Sequence, residues 1–172
     1  ADPKCAEIIK PYLRGQDISR WVADYQNLWI ILLKSSSDFT WLWSQDQHTA
    51  EENFNLHFPS LYEHLKQFED KLCKRSDKGH YWWELRSCAF YEKFEQAKIF
   101  IQGIAFHSRF SFDTDSMYSN NAVSILPTSD LWVLASLNSP LIWWHNWRYL
   151  PHMKDEALNP VGYLMETLPI AQ

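Results

Sequence analysis

The side chains best suited to chemistry lie in a basic stretch at residues 66–109, which follows an acidic one. This stretch has nine Lys and Arg against six Asp and Glu, whereas residues 38–63 have five acidic side chains and no Lys or Arg. Cationic side chains bind the phosphates of nucleic acids, and Lys74, Arg75 and Lys78 fall where a helix is predicted to end. Cations also stabilise a solvated helix terminus, so both interpretations are open for these three residues.

A segment of planar side chains beside an arginine follows this basic cluster. Residues 80–86 read HYWWELR. Aromatic rings stack on bases or wedge between them, and arginine pairs with the edge of guanine. Trp83 and Arg86 are therefore candidate DNA contacts, with a packed core segment as the alternative for Trp83.

The other reactive residue types match no enzyme motif. The three cysteines, Cys5, Cys73 and Cys88, include no Cys-x-x-Cys pair, and no metal site is predicted. The four glycines are isolated, which argues against a phosphate-binding loop or a dinucleotide fingerprint. A Gly-x-Ser-x-Gly nucleophile elbow is also absent from the sequence. The chain is therefore not expected to be an enzyme on its own, and no catalytic residue is predicted.

Charge and composition narrow the class of protein further. A net charge of −5 over 172 residues excludes a simple polybasic coat for nucleic acid but leaves room for a local basic groove. Hydrophobic residues make up 46% and charged residues 22%, which is typical of one globular domain. No apolar run approaches the roughly 18 residues of a membrane span. Because three cysteines are too few for a disulfide scaffold, we expect a cytoplasmic protein.

Hydrophobic periodicity predicts a single mixed domain of the α+β class that positions these residues. Ser60 and Glu63 have the spacing of a capping box at the start of an amphipathic helix. Runs rich in apolar and β-branched residues predict the strands. Strands are expected near 28–33, 98–106 and 117–126, and helices near 60–74, 129–138 and 141–149. The acidic stretch at 38–63 is interpreted as an insertion or irregular region.

Six stretches, taken in their order and spacing, carry a family resemblance. They are 9–21 (IKPYLRGQDISRW), 82–86 (WWELR), 94–99 (FEQAKI), 119–125 (SNNAVSI), 134–142 (LASLNSPLI) and 168–170 (LPI). Together they resemble the TaqI-like specificity domain, which follows the catalytic domain in many bacterial N6-adenine DNA methyltransferases and fused type II restriction-modification enzymes. The resemblance covers nearly the whole chain and is weakest at residues 38–60.

The resemblance implies a module that reads double-stranded DNA while a methyltransferase domain of the same polypeptide flips and methylates an adenine. The catalytic Asn-Pro-Pro-Tyr tetrapeptide of such enzymes is absent from this sequence, so S-adenosylmethionine is expected in the missing catalytic domain. Residues 1–172, which start without Met, are accordingly interpreted as a DNA target recognition domain from a longer polypeptide.

The candidate DNA-binding residues combine the basic patches with the resemblance. They are Arg14, Arg20, Lys74, Arg75, Lys78, Trp83, Arg86 and Arg109. For Arg14, bracing a turn or contacting the missing domain is the alternative role. The resemblance does not identify the DNA sequence that is recognised.

Two other functions are open at this point. The net negative charge fits a domain-interaction scaffold without DNA affinity. In such a scaffold, Trp143, Trp144 and Trp147 extend a buried helical face or form a docking surface. Ten Trp also fit an aromatic cleft that binds a carbohydrate, a peptide or a stacked base.

Overall fold

Residues 3–160 and 162–170 are described by a computed structural model, whose helices and strands confirm the predicted α+β class. The chain divides into two units. Unit 1 consists of Ala1–Lys10 and Ile30–Tyr91, and unit 2 consists of Pro11–Trp29 and Glu92–Gln172. Each unit has a hydrophobic core of its own.

Helices and strands are numbered here in chain order. The helices are α1 Cys5–Ile8, α2 Ala50–His57, α3 Pro59–Lys66, α4 Glu69–Cys73, α5 Leu131–Leu137, α6 Pro140–Tyr149 and α7 Gly162–Met165. The strands are β1 Ile9–Leu13, β2 Trp21–Val22, β3 Leu28–Ile31, β4 Lys98–Gln102, β5 Phe110–Asp113, β6 Tyr118–Ser119 and β7 Val123–Pro127. Short 3-10 turns occur at Gly15–Asp17, Tyr91–Glu95 and Lys154–Glu156.

The predicted helix at 60–74 is present but differs from the prediction in two ways. It is interrupted between Lys66 and Glu69, so that α3 and α4 are separate. Its first turn begins at Pro59, and no side chain caps it, so the expected capping box does not form. Proline at the first helical position has its φ already set for the helix and lacks the N–H that a cap would satisfy.

Side chains do cap two helices of unit 2, α5 and α6. Asp130 accepts a hydrogen bond from the Trp132 amide at 2.8 Å, and α5 begins at the next residue, Leu131. Ser139 accepts one from the Ile142 amide at 3.2 Å at the start of α6. Each contact gives one of the orphan N–H groups of the first turn a partner, and the two caps explain why both helices begin near the predicted positions.

The predicted strands are also present, with shorter bounds. The one expected at 98–106 ends at Gln102, and the one expected at 117–126 is divided into β6 and β7 by a turn. In that turn, the Asn120 side chain accepts a hydrogen bond from the Ala122 amide at 3.1 Å. The predicted irregular region at 38–63 instead contains α2, whose Phe54 is fully buried.

The four-stranded sheet of unit 2 has the order β2-β5-β4-β7. Strand β4 is antiparallel to both neighbours, and β2 is parallel to β5. Residue Ile101 lies opposite Phe110, Gln102 opposite Val123, and Trp21 opposite Ser111. A second sheet has the order β3-β1-β6, in which Tyr12 pairs with Tyr118.

The core of unit 2 encloses an ion pair. Lys98, the first residue of β4, is 0% exposed, and its Nζ bonds to Asp113 Oδ2 and to the Phe94 carbonyl. The same carboxylate accepts hydrogen bonds from the Asp115 and Met117 amides, both at 3.2 Å. The charge of Lys98 is therefore neutralised inside the sheet.

Unit 1 has an aromatic core around a buried carboxylate. Glu84 is 0% exposed and accepts hydrogen bonds from the amide and hydroxyl of Ser36, the indole of Trp43, and the amides of His80 and Tyr81. Each of its oxygens thus has at least two donors. This carboxylate holds together loops that are far apart in the sequence.

We expect Asp113→Asn to destabilise the chain, because it leaves the Lys98 ammonium buried without its anion. Removing one partner of a buried ion pair lowers the free energy of unfolding by about 3–5 kcal/mol. Urea unfolding measures this change. Asp115→Asn, at an exposed aspartate two residues away, is the matched control and is expected to change the free energy of unfolding by less than about 0.5 kcal/mol. Equal stability of the two variants would contradict the role assigned to the pair.

We also expect Glu84→Gln to destabilise the chain by about 1–3 kcal/mol, because the new amide group turns a donor toward N–H and O–H groups that need an acceptor. Unfolding followed by Trp fluorescence reports on this change directly, since Trp43 is one of the partners. Glu92→Gln, at an exposed glutamate, is the control. A Glu84 variant as stable as this control would show that the carboxylate is not required.

Candidate nucleic-acid interface

Three of the predicted DNA-binding residues lie at, or next to, the end of the four-stranded sheet where β4 ends and β5 begins. Extending the β4–β5 register by one residue places Arg109 beside Gln102, and extending the β2–β5 register places Arg20 beside Phe110. Arg14 joins them through the next residue, because the Gln102 amide donates to the Gly15 carbonyl at 2.8 Å. We call this surface, formed by residues 14–20, 102–110 and 120–123, the basic sheet end.

Arg109 supplies a free cation there. Its side chain is exposed and forms no hydrogen bond or ion pair with any residue that the structure describes. Its neighbours are held firmly: the Ser108 hydroxyl donates to the Leu137 carbonyl at 2.8 Å, and the Phe110 amide donates to Asn138 Oδ1 at 3.1 Å. A fixed backbone therefore presents a guanidinium with all five donors available.

Arg20 is exposed but partly anchored. Its Nη2 donates to the Asn138 carbonyl, and its guanidinium carbon lies 5.2 Å from the ring centre of Trp21. The backbone of Trp21 has a φ of 79°, a strained value for a bulky residue, and its side chain is 43% exposed. The pairing of β2 with β5 holds this conformation. Trp21 is a feature of the surface that sequence reasoning missed.

Arg14 braces a turn, as its alternative interpretation predicted. Its Nε and Nη2 bind the two Asp17 oxygens at 2.9 and 2.8 Å, and Asp17 is only 5% exposed. These hydrogen bonds hold the pKa of the Asp17 carboxyl below its ordinary value. The pair leaves Nη1 of Arg14 unused, and the side chain is 42% exposed. The guanidinium is thus fixed in one orientation with one edge outward.

An open cleft of about 630 Å³ lies along the basic sheet end. Its lining combines Arg14 with amide, hydroxyl and apolar groups. The lining includes Gln16, Gln102, Ile104, Asn121, Met153 and Asn159. Gly103 permits the close approach of two segments here, because a Cβ on it would come within 2.7 Å of the Ala122 carbonyl oxygen.

The other basic candidates belong to unit 1, where two of the four side chains have structural partners among the described residues. Arg75 donates to the carbonyls of Trp82 and Glu84 at 3.1 and 2.8 Å, which ties the loop after α4 to the aromatic segment. Lys78 donates to the Cys73 carbonyl at 3.1 Å and the Arg75 carbonyl at 3.2 Å, as expected of a cation at a helix C-terminus. Lys74 is exposed, with no such bond to a described residue.

Trp83 and Arg86 have different environments. Trp83 is 4% exposed and stacks with Phe54 and Tyr81, at centroid distances of 5.1 and 4.8 Å. Its ring therefore packs in the core of unit 1 and has no face open to a base. Arg86 is exposed, and its carbonyl accepts the Tyr91 hydroxyl at 3.1 Å. Burial is the main cause that raises the pKa of Tyr91 to about 12.

The eight candidates fall into two groups. Arg14, Arg20 and Arg109 lie near one end of the sheet in unit 2, whereas Lys74, Arg75, Lys78, Trp83 and Arg86 are in unit 1. Across residues 3–160 and 162–170, no cluster of His, Cys, Asp and Glu is arranged to hold a metal ion. None of the helices in those residues has the length and apolar character needed to cross a membrane.

Comparison with known protein families covers nearly the whole chain. Residues 10–170 match the family described as the TaqI-like C-terminal specificity domain. Among curated proteins, none matches the chain. This family implies a DNA-sequence specificity module of restriction-modification enzymes. The chain therefore belongs to the TaqI-like C-terminal specificity domain family.

Proposed function

We propose that the chain binds double-stranded DNA through the basic sheet end and reads its sequence for an N6-adenine methyltransferase domain of the same polypeptide. The observation that carries this proposal is that Arg14, Arg20 and Arg109 lie near the same end of the sheet. Arg14 and Arg20 belong to one motif at residues 9–21, whereas Arg109 lies in a segment far from it in the sequence.

The size of this surface suits a duplex. Neighbouring strands lie about 4.8 Å apart, so four strand ends span about 14 Å. This span is somewhat wider than the major groove of B-DNA, which is about 12 Å, so cations at this sheet end can contact the phosphates on either side of the groove. Arg20 and Arg109 would contact phosphates, and the outward edge of Arg14 would meet a phosphate or a guanine. The overall charge of −5 is compatible with binding, because phosphate contacts depend on local cations.

The chemistry of methyl transfer is assigned to the methyltransferase domain, which would bind S-adenosylmethionine and flip the target adenine. The chain would contribute specificity alone, in the cytoplasm. Lys74 and Arg86 of unit 1, both exposed, are proposed as additional phosphate contacts.

A second role in domain interaction has its own support. Leu141, Trp144 and Trp147 of α6 are 71%, 56% and 41% exposed, although Ile142 and Asn146 of the same helix are buried. One face of α6 thus packs in unit 2 and the other is apolar and uncovered. We assign this outer face to docking rather than to folding.

We expect the chain to bind random duplex DNA with an affinity that falls as salt rises, and Arg109→Gln to weaken this binding for all sequences. Each lost phosphate contact lowers the slope of log K against log salt by about 0.9. Fluorescence anisotropy at several salt concentrations measures both quantities. Lys93→Gln, at an exposed lysine that precedes β4, is the control. Failure of the unsubstituted chain to bind, or an unchanged slope for Arg109→Gln, would contradict the proposal.

In unit 1, we expect Lys74→Gln to lower the same slope by about 0.9 without changing the thermal stability, since its ammonium has no partner to lose among the described residues. Arg75→Gln should instead lower the melting temperature, because it removes hydrogen bonds to two carbonyls. Circular dichroism separates the two effects. A slope unaffected by Lys74→Gln would remove this loop from the interface.

A further inference from the structure

Some amide side chains at or next to the basic sheet end already form hydrogen bonds within the protein, and others do not. The Gln102 amide donates to the Gly15 carbonyl, and the Asn138 amide exchanges two hydrogen bonds with the Phe110 backbone. Gln16 and Asn121 are exposed, line the cleft, and form no side-chain hydrogen bond with any residue in the described part of the chain. Their amide groups are therefore available to a ligand.

The backbone that carries Gln16 is rigid. It lies in the 3-10 turn Gly15–Asp17, which Arg14 closes by binding Asp17 with its backbone amide at 3.0 Å and with its guanidinium. The Gln102 side chain holds the same turn at the Gly15 carbonyl. Because the backbone is already fixed, only the side-chain rotamers of Gln16 have to be ordered when a ligand binds, which lowers the entropic cost of recognition.

The backbone that carries Asn121 is fixed in a similar way. The Asn120 side chain accepts from the Ala122 amide at 3.1 Å, and the Asn120 carbonyl accepts from the Val123 amide at 3.1 Å. Across the strands, the Gly103 amide donates to the Ala122 carbonyl at 2.9 Å. The turn before β7 therefore presents Asn121 from a defined position.

The chemistry of the cleft indicates which base pair it suits. Gln and Asn amides pair with adenine by donating to N7 and accepting from the N6 amino group, whereas carboxylates suit the N4 amino group of cytosine. None of the described residues that line the cleft is Asp or Glu. Ile104 and Met153, also in the lining, are 51% and 44% exposed, and such apolar groups suit the methyl group of thymine.

We propose that Gln16 and Asn121 are base-reading residues that give the chain a preference for A·T pairs within its DNA site. This inference rests on the proposed function, since it assumes that a duplex lies along the basic sheet end. The arginines there would fix the register of the duplex through phosphates, and the two amides would supply the sequence information.

The test is selection from a pool of randomised duplexes, carried out in parallel with the unsubstituted chain, Gln16→Ala, Asn121→Ala and the control Gln96→Ala. Gln96 is exposed and precedes β4 at the opposite end of the strand. The unsubstituted chain and the control should enrich a site with A·T pairs. Each cleft variant should lose about tenfold or more of the preference at one A·T position, while its affinity for random duplex and its salt slope stay unchanged.

A substitution that changes the preferred base pair is a more specific test than one that only removes the preference. Gln16→Glu should replace the preferred A·T pair by C·G at one position, because a carboxylate accepts from the N4 amino group of cytosine. Full retention of the A·T preference in both alanine variants would overturn the inference and leave the proposed function standing. Absence of binding to any duplex by the unsubstituted chain would overturn both.

Discussion

The sheet of unit 2 depends on how the charge of Lys98 is neutralised. This lysine begins β4, whose first four residues are all buried, so its ammonium cannot reach water. Asp113 lies directly opposite it in β5 and accepts a hydrogen bond from its ammonium group, while two backbone amides complete the hydrogen bonding of the carboxylate. Because a register shift would separate these two charges inside the core, the pair specifies the alignment of β4 with β5. That alignment in turn places Arg109 beside Gln102.

A second buried carboxylate serves a comparable purpose in unit 1. Glu84 collects donors from three separate segments, and Arg75 binds the Glu84 carbonyl from another side. The aromatic rings around it, among them Trp43 and Phe54, account for part of the high aromatic content. From composition alone, these aromatic rings fitted a binding cleft as well as a core. In unit 1 they form a core.

Function then depends on which polar side chains remain without an internal partner. Arg75 and Lys78 satisfy backbone carbonyls, and Arg14 satisfies Asp17, so these cations contribute to structure as well as to charge. Arg109 and Lys74 are free among the described residues, as are the amides of Gln16 and Asn121. The surface that we propose for DNA binding carries such unoccupied side chains on turns held by hydrogen bonds, and it also carries the strained backbone of Trp21. A specificity module needs both kinds of group, because side chains bonded within the protein fix the backbone and unbonded ones are available to the ligand.

The sequence by itself determined the α+β class, the approximate positions of the elements at 98–106, 129–138 and 141–149, and the family, since these follow from local periodicity and ordered motifs. It did not distinguish Lys74 from Arg75, or Gln16 from Gln102, because the members of each pair have similar side chains and differ in the backbone carbonyls that folding brings within reach of one of them. It also placed Trp83 among the DNA contacts, whereas the packing of Phe54 and Tyr81 buries its ring. Strand register and competition for buried carbonyls are long-range effects, which no local pattern encodes. Only the tertiary structure therefore decided that residues near positions 14, 20, 109 and 121 share one end of a sheet.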